Sequence, residues 1–176
     1  MSGGGVVDAG SSEFADFVTA RGTALQRTAW LLTGDWGLAQ DLVQASLARV
    51  WPRWERILRR DDPEIYVRRV MMNTWLTWRR RRWVAEHPSR DVLDSPAPGD
   101  LAAEVAARLA THQLLAGLTD RQRSVVVLRV FDDLSEAQVA QVLDCAVGTV
   151  KSTLSQALAR LREDPRLIDL MERENR

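Results

Sequence analysis

Residues 86–100, EHPSRDVLDSPAPGD, carry Pro88, Pro96, Pro98 and Gly99 with no apolar period. Proline removes a backbone donor and clashes with the preceding turn, and glycine pays a large entropic cost inside a helix, so no regular element runs through this stretch. On either side, apolar residues return at helical spacing. The stretch reads as an interdomain linker, and it confines the chain to two small helical units. Ala, Leu, Arg and Glu favour helix, while a single tyrosine and the scarcity of alternating β-branched runs leave little material for strands. The expected fold class is all-α: two small helical domains joined by a flexible linker. The expected division is a loose tail over residues 1–11, a first domain over 12–85, the linker over 86–100, a second domain over 101–163 and a charged tail over 164–176.

In the first domain Ser12 can cap a helix that Gly34 stops, with Phe14, Phe17, Val18, Leu25, Ala29 and Leu32 at helical spacing. Asp35 opens a second helix, with Leu38, Leu42, Ala45 and Val50 on one side and a break at Pro52. Residues 57–62 form a short polar connection. Asp62-Pro63-Glu64 then supplies a cap, a proline at the first helical position and an anion against the helix dipole. The third helix has a stripe of Tyr66, Val70, Asn73 or Thr74, and Thr77 or Trp78, widened by Val67, Met71 and Trp75. Arg68, Arg69 and Leu76 fall outside it. The helix runs into NTWLTWRRRRW, residues 73–83, where Trp75 and Trp78 cannot both avoid the buried side.

In the second domain Asp100 can cap a helix with the stripe Leu101, Val105 and Leu109. Two capping boxes follow, Thr119-Asp120-Arg121-Gln122 and Ser135-Glu136-Ala137-Gln138. After the second come a short helix with Val139, Ala140 and Leu143 inward, the three-residue turn Asp144-Cys145-Ala146, and a longer helix with Val147, Val150, Leu154, Ala157 and Leu161 inward. This is the layout of a helix-turn-helix. If those residues face the core, Thr149, Ser152, Thr153, Gln156 and Arg160 project away, flanked by Lys151 and Ser155. Such side chains can enter a major groove and bond base edges or phosphates. Gly148 near the helix start costs stability unless something must approach closely.

The formal net charge is zero but unevenly placed: arginine dominates residues 49–82, and residues 86–104 are mostly acidic. Two surfaces of opposite sign point to a partner for each. One cysteine, Cys145, excludes an internal disulfide and any multi-cysteine metal site. No stretch reaches the roughly 20 apolar residues of a membrane span, and the N-terminal tail has no signal-peptide pattern, so a cytoplasmic protein is expected. His87 and His112 have no nucleophile or paired carboxylate at useful spacing, so no catalysis is expected. No cofactor or metal is called for.

The run LTDRQRSVVVLRVFDDLSEAQVAQVLDCAVGTVKSTLSQALARLRE closely resembles region 4 of bacterial sigma factors of the extracytoplasmic-function (ECF) group, through VGTVKS and ALARLR above all. GDWGLAQDLVQASLARVWPRW resembles region 2.2, and YVRRVMMNTWLTWRRRR resembles regions 2.3 and 2.4, with Asn73 on the family's asparagine. The resemblance spans residues 13–163, and its subtype is similar to actinobacterial members. It implies a dissociable subunit of RNA polymerase whose first domain binds the beta-prime clamp and opens promoter DNA at the minus-10 element. The second domain would read the minus-35 element as duplex, beside the beta flap.

On that resemblance Asp41, Leu42, Gln44 and Arg49 fall on the clamp-binding helix. Leu58, Arg59, Arg60, Asp61, Asp62 and Asn73 fall where an unstacked base is held. Trp78 and the run Arg79, Arg80, Arg81 and Arg82 suit stacking and phosphate contact: flipping a base costs a few kcal/mol, and aromatic stacking recovers about 1–3 kcal/mol per base. The minus-35 contacts would be Thr149, Lys151, Ser152, Thr153, Ser155, Gln156 and Arg160. Many relatives are held inactive by an anti-sigma factor, which adds that class of partner. The family's acidic stretch is here Leu38-Ala39-Gln40-Asp41, Thr77 replaces a common aspartate, Ala146 replaces the usual capping serine, and Thr153 and Gln156 stand where arginines are frequent. Fewer cations on the last helix should weaken its phosphate contacts.

Two other classes compete with this reading. A stand-alone helix-turn-helix regulator would bind duplex as a dimer without polymerase. A membrane-surface role for the basic helix would leave the second domain without a purpose.

Overall fold

The computed structural model describes residues 9–84 and 101–168, and every regular element among them is helical. The first domain comprises α1 (Ala9–Thr33), α2 (Trp36–Val50), a 3-10 turn (Trp51–Arg53), α3 (Trp54–Arg60) and α4 (Pro63–Val84). The second comprises α5 (Leu101–Ala116), α6 (Asp120–Val126), a π turn (Val127–Phe131), α7 (Glu136–Leu143) and α8 (Val147–Arg162). The expected linker, residues 86–100, lies outside the described residues.

Ser12 lies inside α1 and is not its cap. The extra turn seats Phe14 with its ring 4.9 Å from Trp51 and 5.0 Å from Trp54, and Phe17 also meets Trp54 at 5.0 Å. Tertiary packing of this kind outweighs a local cap signal. Gly34 ends α1 at φ +73°, with its N–H donating to the Trp30 carbonyl at 2.7 Å. Asp35 caps α2 as expected, accepting from the Leu38 N–H at 2.7 Å.

Pro52 breaks α2 into the 3-10 turn, and α3 follows at once. The expected polar connection over 57–62 is therefore mostly helix: Ile57 is buried beside Trp54, and only Asp61 and Asp62 lie between helices. Asp62 caps α4, accepting from the N–H groups of Glu64 at 2.9 Å and Ile65 at 3.4 Å.

In α4 the core residues are Ile65, Val67, Met71, Met72, Thr74 and Trp75. Arg68, expected outside the stripe, is 3% exposed. The reason is the neighbour on the far side, because α4 packs against α7 as well as α2. A helix between two units buries two faces, and only one belongs to the amphipathic pattern of its own domain.

The second domain keeps both capping boxes: Thr119 with Gln122 at 3.2 and 3.3 Å, and Ser135 with Gln138 at 2.8 and 3.2 Å. Its core includes Leu115, Leu118, residues 125–128, Leu134, Val139, Ala140, Val142, Val150 and Ala157. Leu109 and Val147, both expected inside, are exposed. The π turn places the Asp132 N–H on the Val127 carbonyl at 3.0 Å, one residue further than an α-helix allows.

The domains meet along α1 and α4 on one side and α6, the π turn and α7 on the other. Buried Arg123 donates to the Leu32 carbonyl at the end of α1 and to the Leu115 carbonyl, each at 3.0 Å. It thereby supplies a donor to one of the C-terminal carbonyls of α1, which have no partner within the helix. Desolvation depresses its pKa, with the nearby Arg79 charge acting the same way and Asp120 opposing.

Candidate nucleic-acid interface

One solvent-facing line runs the length of α4. Tyr66, Arg69, Asn73, Thr77 and Arg80 recur at intervals of three or four residues; Asn73 and Arg80 are exposed, and the others are half-buried. At its upper end is a polar cavity of about 340 Å³ lined by Arg60, Asp61, Asp62, Ile65, Tyr66, Arg69 and Gln141. At its lower end the arginine run begins. The expected residues Arg60, Asp61, Asp62 and Asn73 are thus joined to the arginine run by one continuous surface.

Their individual states differ. Leu58, Arg60 and Asp61 are exposed; Arg59 pairs with Glu55 at 3.3 Å; Asp62 is engaged by its cap bonds. Trp75 is core and Trp78 is half-buried against it. Arg79 pairs with Asp120 of α6 at 3.0 Å, whereas the Arg80 guanidinium folds back on the Leu76 carbonyl and Arg81 is exposed. The Arg82 side chain lies outside the described residues. The Thr77 hydroxyl donates to the Asn73 backbone carbonyl at 2.7 Å, and Asn73 is exposed.

On α8 the exposed side holds Lys151, Ser152, Ser155, Gln156 and Arg160, with Thr149 half-buried. Thr153 is a correction: it is buried between Val150 and Ala157, one turn from each, and has no face to offer a groove. Lys151 lies 3.6 Å from Glu136 of α7. Ala146 occupies the N-cap without a side-chain bond, so the first N–H groups of α8 have no side-chain cap. A Cβ built on Gly148 would meet nothing within 4 Å, so no packing within the chain requires glycine there.

On α2, Asp41 and Gln44 are exposed, whereas Leu42 is fully buried and can only support the helix from within. That is a second correction, and it follows from the helical period: Leu42 falls on the apolar side of α2 with Ala39, Val43 and Ser46, opposite Asp41 and Gln44. Arg49 is exposed but donates to the Thr74 hydroxyl at 2.8 Å, tying α2 to α4.

Tyr66, Arg69 and Gln141 line the cavity in addition to the residues expected from the sequence. The first two sit at helical spacing from Asn73, a signal the sequence does hold. Gln141 comes from the other domain, and no local pattern could reveal it.

Comparison with known proteins follows this geometry. The Sigma-70 region 2 family matches residues 17–84, and the Sigma-70, region 4 family matches residues 108–161. The RNA polymerase sigma-E factor of Streptomyces coelicolor is 43% identical over 168 residues, covering 93% of this chain and 94% of that protein. The ECF RNA polymerase sigma factor SigL of Mycobacterium tuberculosis is 32% identical over 143 residues, covering 78% and 80%. Among solved structures, the sigma factor RpoE in complex with the anti-sigma factor NepR from Bartonella quintana superposes with TM-score 0.72 at 22% identity, covering 86% of this chain and 96% of that one. CnrH in complex with the cytosolic domain of CnrY superposes with TM-score 0.66 at 19% identity, covering 86% of each. At such identities the two structures speak for the fold.

Proposed function

We propose the following division of labour for this chain, which belongs to the sigma-70 family and is an RNA polymerase sigma factor of the ECF group. The exposed side of α2, with Asp41, Gln44 and Arg49, meets the beta-prime clamp of core polymerase. The line along α4 receives the non-template strand of the minus-10 element: the cavity beside Asp61 and Asp62 takes one unstacked base, Asn73 bonds a base edge, and Arg80 and Arg81 hold phosphates. The exposed side of α8, with Ser152, Ser155, Gln156 and Arg160, lies in the major groove of the minus-35 element beside the beta flap. The protein acts in the cytoplasm, binds promoter DNA only as part of the polymerase and performs no catalysis of its own.

The observation that carries this reading is the unbroken path on α4 from the polar cavity beside Asp61 and Asp62 to a cationic helix end. Stacking surface, hydrogen-bonding groups and phosphate partners occur there in the order a single strand would meet them. Matches to both regions, in sequence order, favour a sigma factor and not a stand-alone dimeric regulator. Among the described residues no helix is long and apolar enough to cross a membrane, and no group of His, Cys, Asp or Glu could hold a metal ion. The solved RpoE structure contains an anti-sigma factor, so we include such a protein among the partners of this chain.

Run-off transcription with purified core polymerase on genomic promoter fragments tests the assignment. Asn73→Ala should lower open-complex formation by about tenfold, the scale of one good base contact. Arg160→Ala should weaken promoter binding before opening, and both should retain affinity for core. Activity without core, or full activity of both variants, would remove the reading.

A further inference from the structure

A crevice of about 790 Å³ opens between α1, α2 and α5, and no step of promoter reading uses it. Its walls are mainly apolar: Val18, Trp30 and Leu31 come from α1, Val43 and Leu47 from α2. The Trp30 and Trp36 rings stack there at 5.7 Å with their planes 26° apart. Arg27 and Arg108 also line the space, and among the described residues no carboxylate does. Apolar walls around such a volume, with a few polar groups to set orientation, are the build of a small-molecule site.

Gly22 lies on the same wall, in the middle of α1. Glycine inside a helix is destabilising relative to alanine, yet a Cβ built there would meet nothing within 4 Å. No packing within the chain calls for glycine, and its missing side chain keeps the crevice open. Arg27 is exposed, donates to the Phe131 carbonyl at 2.7 Å and forms no ion pair with a described residue. A guanidinium carries five N–H donors in a planar fork, so that single bond leaves capacity for an oxyanion. The Asp132 carboxylate, which feels the Arg27 charge, is already held by Thr28 and Arg68 at 2.7 Å each.

We propose that this crevice binds a free amphiphilic anion, such as a long-chain carboxylate, with its apolar body against Trp30, Leu31, Val43 and Leu47 and its head on Arg27, and that this ligand competes with core polymerase. The competition rests on the reading of α2 given above, because Gln44 of the clamp surface forms part of the crevice wall. An exposed cation beside apolar walls selects this class of ligand. A plain hydrocarbon leaves Arg27 unanswered, a cationic amphiphile is repelled by it, and a wholly polar anion gains nothing from the walls.

Titration calorimetry of the full chain with dodecanoate, kept below its micelle concentration, tests the site. Binding should saturate at one ligand per chain. Dodecanol and dodecyltrimethylammonium, which share the hydrocarbon chain, should bind at least about tenfold more weakly, the scale of one charge-assisted hydrogen bond. Arg27→Gln should weaken dodecanoate binding by a similar factor, and Arg27→Lys should retain most of it. Gly22→Leu, which fills the crevice from α1, should abolish binding; circular dichroism verifies that each variant is folded. On immobilised core polymerase, dodecanoate should raise the apparent Kd of the wild type and leave that of Gly22→Leu unchanged. Equal affinity for the three amphiphiles, many ligands per chain, or undiminished binding to Gly22→Leu would overturn the site. So would a wild-type dimer that Gly22→Leu abolishes, which would give the crevice to a second copy of the chain. Saturable binding that leaves core affinity unchanged would overturn the competition. Failure of the α2 reading shows separately, as full core affinity of Asp41→Arg in the absence of any amphiphile.

Discussion

Gly34 leaves the space that the His112 imidazole fills: a Cβ at Gly34 would overlap the ring, which belongs to α5 of the second domain. Gly34 also holds φ +73°, where an L side chain is strained by about 1–2 kcal/mol. Gly34→Ala should therefore destabilise the protein by at least that amount in a urea titration and loosen the packing of α5. Gly22, in the middle of α1 with nothing within 4 Å of its Cβ position, is the matched control. Gly22→Ala should stabilise by up to about 1 kcal/mol.

Gly148 offers the opposite test. Its Cβ position is open, so Gly148→Ala should raise the stability of the free protein by roughly 0.5–1 kcal/mol. If the space is reserved for a DNA backbone, the same variant in holoenzyme should lose affinity for minus-35 duplex in a mobility-shift assay. Equal or better binding would remove Gly148 from the interface.

The two tryptophans of α4 should separate cleanly. Trp75 is 2% exposed, and Trp75→Ala should cost about 3–5 kcal/mol in thermal unfolding. Trp78 is only half-buried, so Trp78→Ala should leave the fold intact and lower open-complex formation, as read by permanganate footprinting.

Asp132 sets a pH dependence. Burial raises its pKa above the ordinary 3.8, against the opposing pull of Arg68, Thr28 and Arg27 and with a smaller push from Glu64. A carboxyl whose folded pKa is raised contributes its stabilisation fully below the unfolded value, and that contribution is lost as pH rises through the folded pKa. Stability measured in urea should therefore carry a contribution that is lost as pH climbs from about 4, and Asp132→Asn should flatten that slope. An equal slope in both proteins would assign the titration elsewhere.

Most of the fold is written in local chemistry. The Asp35 and Asp62 caps, the stop at Gly34, the break at Pro52, both capping boxes and the Asp144-Cys145-Ala146 turn are interactions among near neighbours, and each is where the residues place it. The misses have separate causes. Periodicity puts Arg68 on the surface because it knows only one partner per helix, and α4 has two. Periodicity turns Thr153 outward because a small polar residue satisfies the pattern on either side of a stripe boundary. Leu42 came from a family position that identifies a helix and not a side chain. Asp132-Asp133 reads in sequence as a helix terminator, and nothing nearby announces that Asp132 reaches Thr28 and Arg68, more than sixty positions away.

The two capping boxes close their hydrogen bonds within four residues each, so the caps that open α6 and α7 take no hydrogen bond from α1 or α4. Contacts of such short sequence separation form fast and survive without distant support. A promoter reader built this way can be carried from one position to another as a finished piece, and its alignment with the minus-10 half becomes a matter of reach along the intervening chain rather than of refolding.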